Sequence, residues 1–353
     1  MTFKIGQKSI GDGSQAYIIA EMAWSHDGSY ENARAIVLAA SKAKADAICI
    51  HLTHISDYMT TDYVAAKGGA SSSANSEKLY DFLSKKNLSE DEWKRVIKLA
   101  HDSGVAVCAM CNDVYSVHFA AKNGIDSFVI PPASIQEIVL LETVAKYRTP
   151  VLIRIGGAHQ DEIALAIDAM RSNGAEFALI HGFQNFPTEL DEMNMNLIGT
   201  LKSKYGVSVG FADHVDGGSD VALLVPVVAI AKGANLIEKH LTYDRSKKGL
   251  DYESALNPEA FSKMIALVRI VEKAFGTNEF GELSDKELAY RKNVRKRAVA
   301  AKDLKVGSIV NDENFTFKRA NSGMYPDEFA KRVNEKIIKV MRKDEGLLNS
   351  NVG

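Results

Sequence analysis

Short apolar runs alternate along the chain with longer stretches in which apolar residues recur every three or four positions. The runs occupy 16–22, 47–52, 105–110, 127–130, 150–155, 177–181, 207–212 and 236–240, and each predicts a buried strand. Between them, 32–44, 90–102, 135–146, 161–172, 193–204 and 220–232 carry the pattern of helices that cover a sheet, and 258–275 supplies a last one. Glycines just past several of these helices, Gly104, Gly124, Gly174 and Gly233, suit left-handed C-caps. Eight strands with intervening helices predict an α/β protein built as a (β/α)8 TIM barrel. A doubly wound open sheet is the second choice, because no glycine-rich dinucleotide fingerprint follows the first strand.

Two stretches depart from the alternation. Residues 56–83 form an unusually long connection after the second strand, with the Gly/Ser-rich segment 68–75 at its middle, and read as a lid or as an insertion. The barrel pattern then spans 1–278, residues 279–290 read as a linker, and 291–353, with a strand-and-turn signature at 301–309, reads as a small separate domain.

Composition narrows the function classes. With 46% hydrophobic and 25% charged residues in 353, the chain has the make-up of an ordinary globular protein, and a formal charge of -2 offers nothing to a nucleic acid. No apolar run approaches the ~18 residues of a membrane span, and the N-terminus lacks the apolar core of a signal peptide. Cys49, Cys108 and Cys111 all fall in apolar runs and cannot build a disulfide framework, so a cytoplasmic location is expected. Cys108 and Cys111 form a lone C-x-x-C, for which packing is expected over zinc or redox chemistry.

The histidines point to chemistry. Seven of the nine, His26, His51, His54, His159, His181, His214 and His240, fall at or just past the C-terminal end of a strand, the face on which TIM barrels build active sites. Gly210-Phe-Ala-Asp213-His214 and Ile237-Glu238-Lys239-His240 end neighbouring apolar runs on ionisable groups, which are costly to bury unless they face a wet cavity or a cation. His214 and His240 are therefore expected to meet at one divalent cation.

These segments also carry a resemblance. Ile19-Ala-Glu21-Met-Ala-Trp-Ser-His26-Asp-Gly28, Asn185-Phe-Pro187-Thr188, Gly210 to His214, and Ile237 to His240 continuing to Gly249-Leu-Asp251 resemble the sialic acid synthase family. That family condenses phosphoenolpyruvate with an amino sugar to give nonulosonic acids. The stretch from Lys296 onward resembles its C-terminal antifreeze-like (SAF) domain, a β-clip-type fold. The resemblance implies a TIM barrel, with His214 and His240 as ligands of manganese or magnesium, Glu21 as the acid beside that metal, and Asp251 as a ligand of the acceptor sugar. His26 is a further catalytic candidate in the first motif, and Asn185 and Asp213 are substrate-contact candidates in theirs. It also implies a domain-swapped homodimer in which the small domain lays an arginine over the partner's barrel. Lys296, inside the basic run 291–297, is the nearest match to that arginine.

The departures are as informative. The lysine that the family uses for the phosphate of phosphoenolpyruvate is replaced in Cys49-Ile50-His51, and Lys-Ile-x-Ser becomes Val129-Ile130-Pro131-Pro132. Ala212 stands for a serine, and the hydroxyl-rich ends of the third and fifth strands become Cys108 to Asp113 and Arg154-Ile155-Gly156. His51, His54, Arg154 and Lys239 are the groups available to rebuild an anion site; Arg154 has the equal alternative of pairing with an acidic neighbour. The expected function is a metal-dependent carbon-carbon bond-forming enzyme acting on a sugar-like aldehyde, with phosphoenolpyruvate as donor. The alternative is an aldolase, lyase or isomerase with an altered donor. A non-catalytic sugar-binding protein is disfavoured because Glu21, His214, His240 and Asp251 persist together.

Overall fold

Eight parallel strands close into a barrel in a computed structural model that describes residues 2–64, 78–277 and 279–353. The segment 68–75, read as a lid or an insertion, lies outside the described residues. An antiparallel hairpin, β1 (Phe3–Ile5) with β2 (Lys8–Ile10), comes first. The barrel strands follow as β3 (Tyr17–Ala23), β4 (Ala47–Leu52), β5 (Ala106–Cys111), β6 (Ser127–Ile130), β7 (Val151–Arg154), β8 (Phe177–His181), β9 (Ser208–Asp213) and β10 (Leu236–His240). They pair in sequence order, and β10 closes the ring against β3. All eight predicted runs are strands within a residue or so of their expected ends. Gly104, Gly124, Gly174 and Gly233 have the positive φ that left-handed caps require.

Strand parity decides which side chains reach the barrel axis. Tyr17, Ile19, Cys49, Cys108, Leu152 and Leu236 pack inside with Phe3, Ile5 and Ile10 of the hairpin, which plugs the N-terminal mouth. The hairpin was not anticipated, because three-residue strands are too short to show a period. Ile18, Ile48, Val107, Ile153 and Ile237 face outward onto the helices. Alternation then carries Glu21, His51, Arg154, Glu238 and His240 to the inner face at the C-terminal mouth. Cys108 belongs to the inner layer and Cys111 to the outer one, so the C-x-x-C thiols pack on opposite faces of β5.

The chain divides into two compact units, Met1–Gly276 and Thr277–Gly353. The second has its own core of Ala298, Leu304, Phe315, Met324, Phe329, Ile337, Met341 and Leu347, around the antiparallel pair β11 (Arg297–Ala300) and β12 (Phe315–Lys318). Within and beyond the stretch read as the linker 279–290, Asp285–Val294 is a helix, opened by a Ser284 and Glu287 capping box, that buries none of its side chains. Its apolar residues Leu288, Ala289 and Tyr290 are consecutive and so spread around the helix, which leaves no apolar stripe to read. In the basic run, Arg295 and Arg297 both stack on Tyr325, 3.9 and 4.3 Å from its ring centre, and Arg295 also pairs with Asp327 at 3.0 Å. Lys296 stands exposed between them.

Candidate active site

A cavity of about 270 Å³ opens over the C-terminal ends of the strands, with His51, Arg154, His240 and Asp251 among its polar lining. Trp24, Phe82, Met110, Pro131, Pro132 and Phe186 supply much of the apolar lining. The helix Leu79–Lys86 forms one wall and is anchored to the loops beside it. Lys86 Nζ donates to the Asp27 carbonyl at 3.3 Å, and Asn87 Nδ2 donates to the Thr53 carbonyl at 2.7 Å. Gly28, at φ 76, lets this helix approach, since a Cβ there would stand 3.1 Å from the Lys85 carbonyl.

Beneath the cavity lies a buried clamp. Arg154 reaches from β7 across the axis to two carboxylates, Glu21 of β3 and Glu238 of β10. Its Nη2 lies 2.7 Å from Glu238 Oε1 and against Glu21 Oε2, and its Nε donates to Glu238 Oε2 at 3.2 Å. Glu21 Oε1 accepts the Ala23 N–H at 2.7 Å and sits 3.4 Å from His51 Nε2. The acidic-partner reading of Arg154 is therefore the one realised. Among the described residues lining the cavity, Arg154 is the one arginine or lysine, and its charge is already committed.

One guanidinium cannot neutralise two carboxylates. Burial alone would raise Glu21, but Arg154 and then His51 outweigh it and hold the group well below the usual carboxylate range. Glu238 is pushed up to about 7, by burial first; Arg154 opposes the rise and the charge on Glu21 adds to it. Of the two carboxyls, Glu238 is therefore the one that keeps its proton to the higher pH. A carboxyl with a raised folded value costs stability as pH climbs from its unfolded value of ~4.3 to about 7. Glu238→Gln keeps an acceptor for Arg154 and removes that cost. Its denaturation free energy should gain on the wild type by roughly 1–3 kcal/mol between about pH 5 and pH 8; a difference that stays constant over that range would place the proton elsewhere.

The two expected metal ligands come together. The His214 and His240 ring centres are 5.4 Å apart, and both residues are buried. His214 Nδ1 donates to the Phe183 carbonyl at 2.7 Å, which leaves Nε2 buried without a partner; both nitrogens of His240 are likewise unpartnered. Burial holds His214 at about 3 and His240 well below the ordinary imidazole value, so both rings are neutral. At metal–nitrogen distances of ~2 Å, two rings on one ion have centres within roughly 6.4 Å, a limit this pair meets. Phe186 covers both rings, at 4.2 and 5.9 Å. A second group of potential ligand atoms among the described residues is Glu21, Cys49 and Glu238. Arg154 already fills that cluster's carboxylates, and burial keeps the Cys49 thiol protonated, so it suits a guanidinium and not a metal.

The remaining candidates divide. Asp251, at φ 61, lines the cavity and accepts the Trp24 N–H at 3.1 Å through Oδ2, with burial raising its carboxyl. His26, a catalytic candidate, has its ring wedged between Trp24 and Trp93, with centres 5.9 and 5.3 Å away; its Nδ1 accepts the Gly28 N–H at 3.1 Å and its Nε2 is buried without a partner. Asp213 and Lys239, candidate substrate contacts, are not among the residues that line this cavity. Both face outward on their strands and pair with each other at 3.0 Å with no exposure. Asn185 is exposed and caps the next residue, accepting the Phe186 N–H at 3.1 Å. His54, weighed for an anion site, stacks on Tyr115 at 4.5 Å. Glu238 went unnoticed as a site residue.

A sequence model of the NeuB family matches residues 36–280. An uncharacterised protein of Methanocaldococcus jannaschii is 30% identical over 344 residues, 97% of this chain and 96% of that one. The N,N'-diacetyllegionaminic acid synthase of Legionella pneumophila is 27% identical over 337 residues, 94% of this chain and 93% of its own. In fold the chain is similar to an N-acetylneuraminic acid synthetase of Leptospira borgpetersenii solved in complex with citrate. The TM-score is 0.73 at 24% identity, over 82% of this chain and 96% of that one.

Proposed function

Because this chain belongs to the NeuB family of sialic acid synthases, we propose that it joins or cleaves a carbon-carbon bond at the carbonyl of a sugar-like substrate, with a donor that carries no phosphate. The observation behind the altered donor is the clamp: the one arginine or lysine among the described lining residues is held by Glu21 and Glu238. Each charge-assisted bond to a phosphate contributes ~1.5–3 kcal/mol, and this cavity presents no uncommitted Lys or Arg among its described residues to make one. The family's use of phosphoenolpyruvate is the competing reading.

The unpartnered nitrogens of His214 and His240 fit a divalent cation, manganese or magnesium. Bound there, it would polarise the acceptor's carbonyl oxygen and offset the charge that develops on it. The chain's own residues prepare that position. The Phe183 carbonyl accepts a hydrogen bond from the Nδ1 proton and so leaves His214 Nε2 as the unprotonated, unpartnered nitrogen able to bind the ion. Asp251, braced by the Trp24 N–H, presents the rest of its carboxyl to a substrate hydroxyl. Phe186 and Trp24 keep water from the reacting face. A domain-swapped homodimer belongs to the same proposal, with exposed Lys296 as the group that reaches a partner's barrel.

Isothermal titration with phosphoenolpyruvate in the presence of manganese tests the altered donor. No binding heat is expected; tight, metal-dependent binding would overturn the reading.

A further inference from the structure

Two loops meet around Asp251: residues 24–28, after β3, and residues 241–257, after β10, to which Asp251 belongs. Asp251 lines the cavity together with Trp24 and Leu250. Its backbone is left-handed, at φ 61, a conformation that a residue with a side chain keeps only where its neighbours hold it. Neighbours that hold it come from the first loop. The Trp24 N–H donates to Asp251 Oδ2 at 3.1 Å, Ser25 Oγ donates to the Leu250 carbonyl at 3.2 Å, and the Leu250 N–H donates to Asp27 Oδ1 at 3.1 Å.

Asp27 is the charged member of this clasp. It is left-handed too, at φ 53, and its N–H closes a turn on the Trp24 carbonyl at 2.9 Å. Gly249 shows how closely the two loops fit. Its φ is not positive, so its backbone alone does not call for glycine, yet a Cβ there would overlap Asp27 Oδ2 and stand 2.9 Å from Asp27 Cγ. The main chain of Asp27 reaches a third side of the cavity. Its carbonyl accepts Lys86 Nζ at 3.3 Å, from the helix whose Phe82 and Leu83 also line the cavity.

We propose that Asp27 is a positioning residue for acceptor binding: through Leu250 it holds Asp251 toward the cavity, and through Lys86 it ties that loop to the helical wall. This rests on the reading of Asp251 as a contact of a sugar-like acceptor, and the donor does not enter it. A misplacement of ~1 Å in a group that orients a substrate costs on the order of 100-fold. A loop that loses one of its ties therefore need move little to be felt.

Free N-acetylmannosamine, N-acetylglucosamine and N-acetylgalactosamine, titrated into the magnesium-loaded full chain and followed by saturation-transfer NMR, test the assignment. The wild type should bind at least one. Asp27→Ala should raise that dissociation constant about 10-fold or more at unchanged manganese affinity, since a hydrogen bond to a charged group is lost. Asp27→Asn keeps an acceptor oxygen for the Leu250 N–H and should return to within about 3-fold of the wild type. Gly249→Ala should weaken binding in the wild type and be nearly silent in Asp27→Ala, where the carboxylate its methyl would meet is gone, so the two changes couple. Full binding by Asp27→Ala, failure of Asp27→Asn to restore it, or effects of Asp27→Ala and Gly249→Ala that simply multiply would overturn the role of Asp27 and leave the acceptor reading intact. No binding of any of the three sugars by the wild type would instead overturn that reading, and the role of Asp27 with it.

Discussion

His240→Ala and His214→Ala should each abolish stoichiometric manganese binding, with the dissociation constant rising at least ~100-fold and the barrel still folded by circular dichroism. The size follows from what is removed: even a group that only hydrogen-bonds to a metal ligand is worth ~10–100-fold in affinity, and these residues are the proposed ligands themselves. His240 has no hydrogen-bond partner to lose and His214 gives up one, the Phe183 carbonyl, so truncation costs binding more than folding. Where manganese stands at 100 times the wild-type dissociation constant, about 2.7 kcal/mol of metal-linked stability should vanish with it. Burial holds both imidazoles neutral well below their ordinary range, His214 at about 3. Ring protonation should therefore not weaken wild-type binding as pH falls from about 7 to about 5, whereas ordinary imidazoles of pKa ~6.5 would lose affinity across that interval. Electron paramagnetic resonance of free manganese reads both effects. Full binding by either variant would place the cation elsewhere.

The barrel was legible because each strand is a continuous apolar run ending at a helix cap, and the eight runs emerge within a residue or so of where they were read. The same continuity hid which residues face the axis. Strands of a parallel barrel are apolar on both faces, so period two is silent until one position is fixed. Asp213 and Lys239 were chosen from Asp-His and Glu-Lys-His, yet both point outward and neutralise each other. Counting back by two from His240 would have selected Glu238, which shares its face. Of the seven histidines read at the C-terminal strand ends, His51 and His240 line the cavity and His214 packs beside His240. His26 went into an aromatic wedge that no spacing rule announces. Arg154 had two readings because its choice lay in three-dimensional reach: Glu21 and Glu238 are 133 and 84 residues away in sequence.

That reach makes Arg154 the residue whose loss should cost the fold most. Arg154→Ser leaves two carboxyls in the barrel axis without their cation, and breaking a buried ion pair from one side costs ~3–5 kcal/mol. For a barrel unit of this size that is a fall of roughly 10 °C in melting temperature. With the guanidinium gone, burial acts on Glu21 as it already acts on Glu238, and both folded values lie above the unfolded ~4.3. The sign of the pH dependence follows: below ~4.3 both carboxyls are protonated in either state and the charge penalty is absent; as pH rises toward neutrality the unfolded state gains by ionising and the deficit grows. Arg154→Ser should therefore sit close to the wild type near pH 4 and far below it near pH 8. Adding Glu238→Gln should return part of the loss, because one carboxylate remains and His51 lies beside it. An Arg154 that served mainly to grip a substrate anion would behave in the opposite way, with stability unchanged at every pH and only ligand affinity falling.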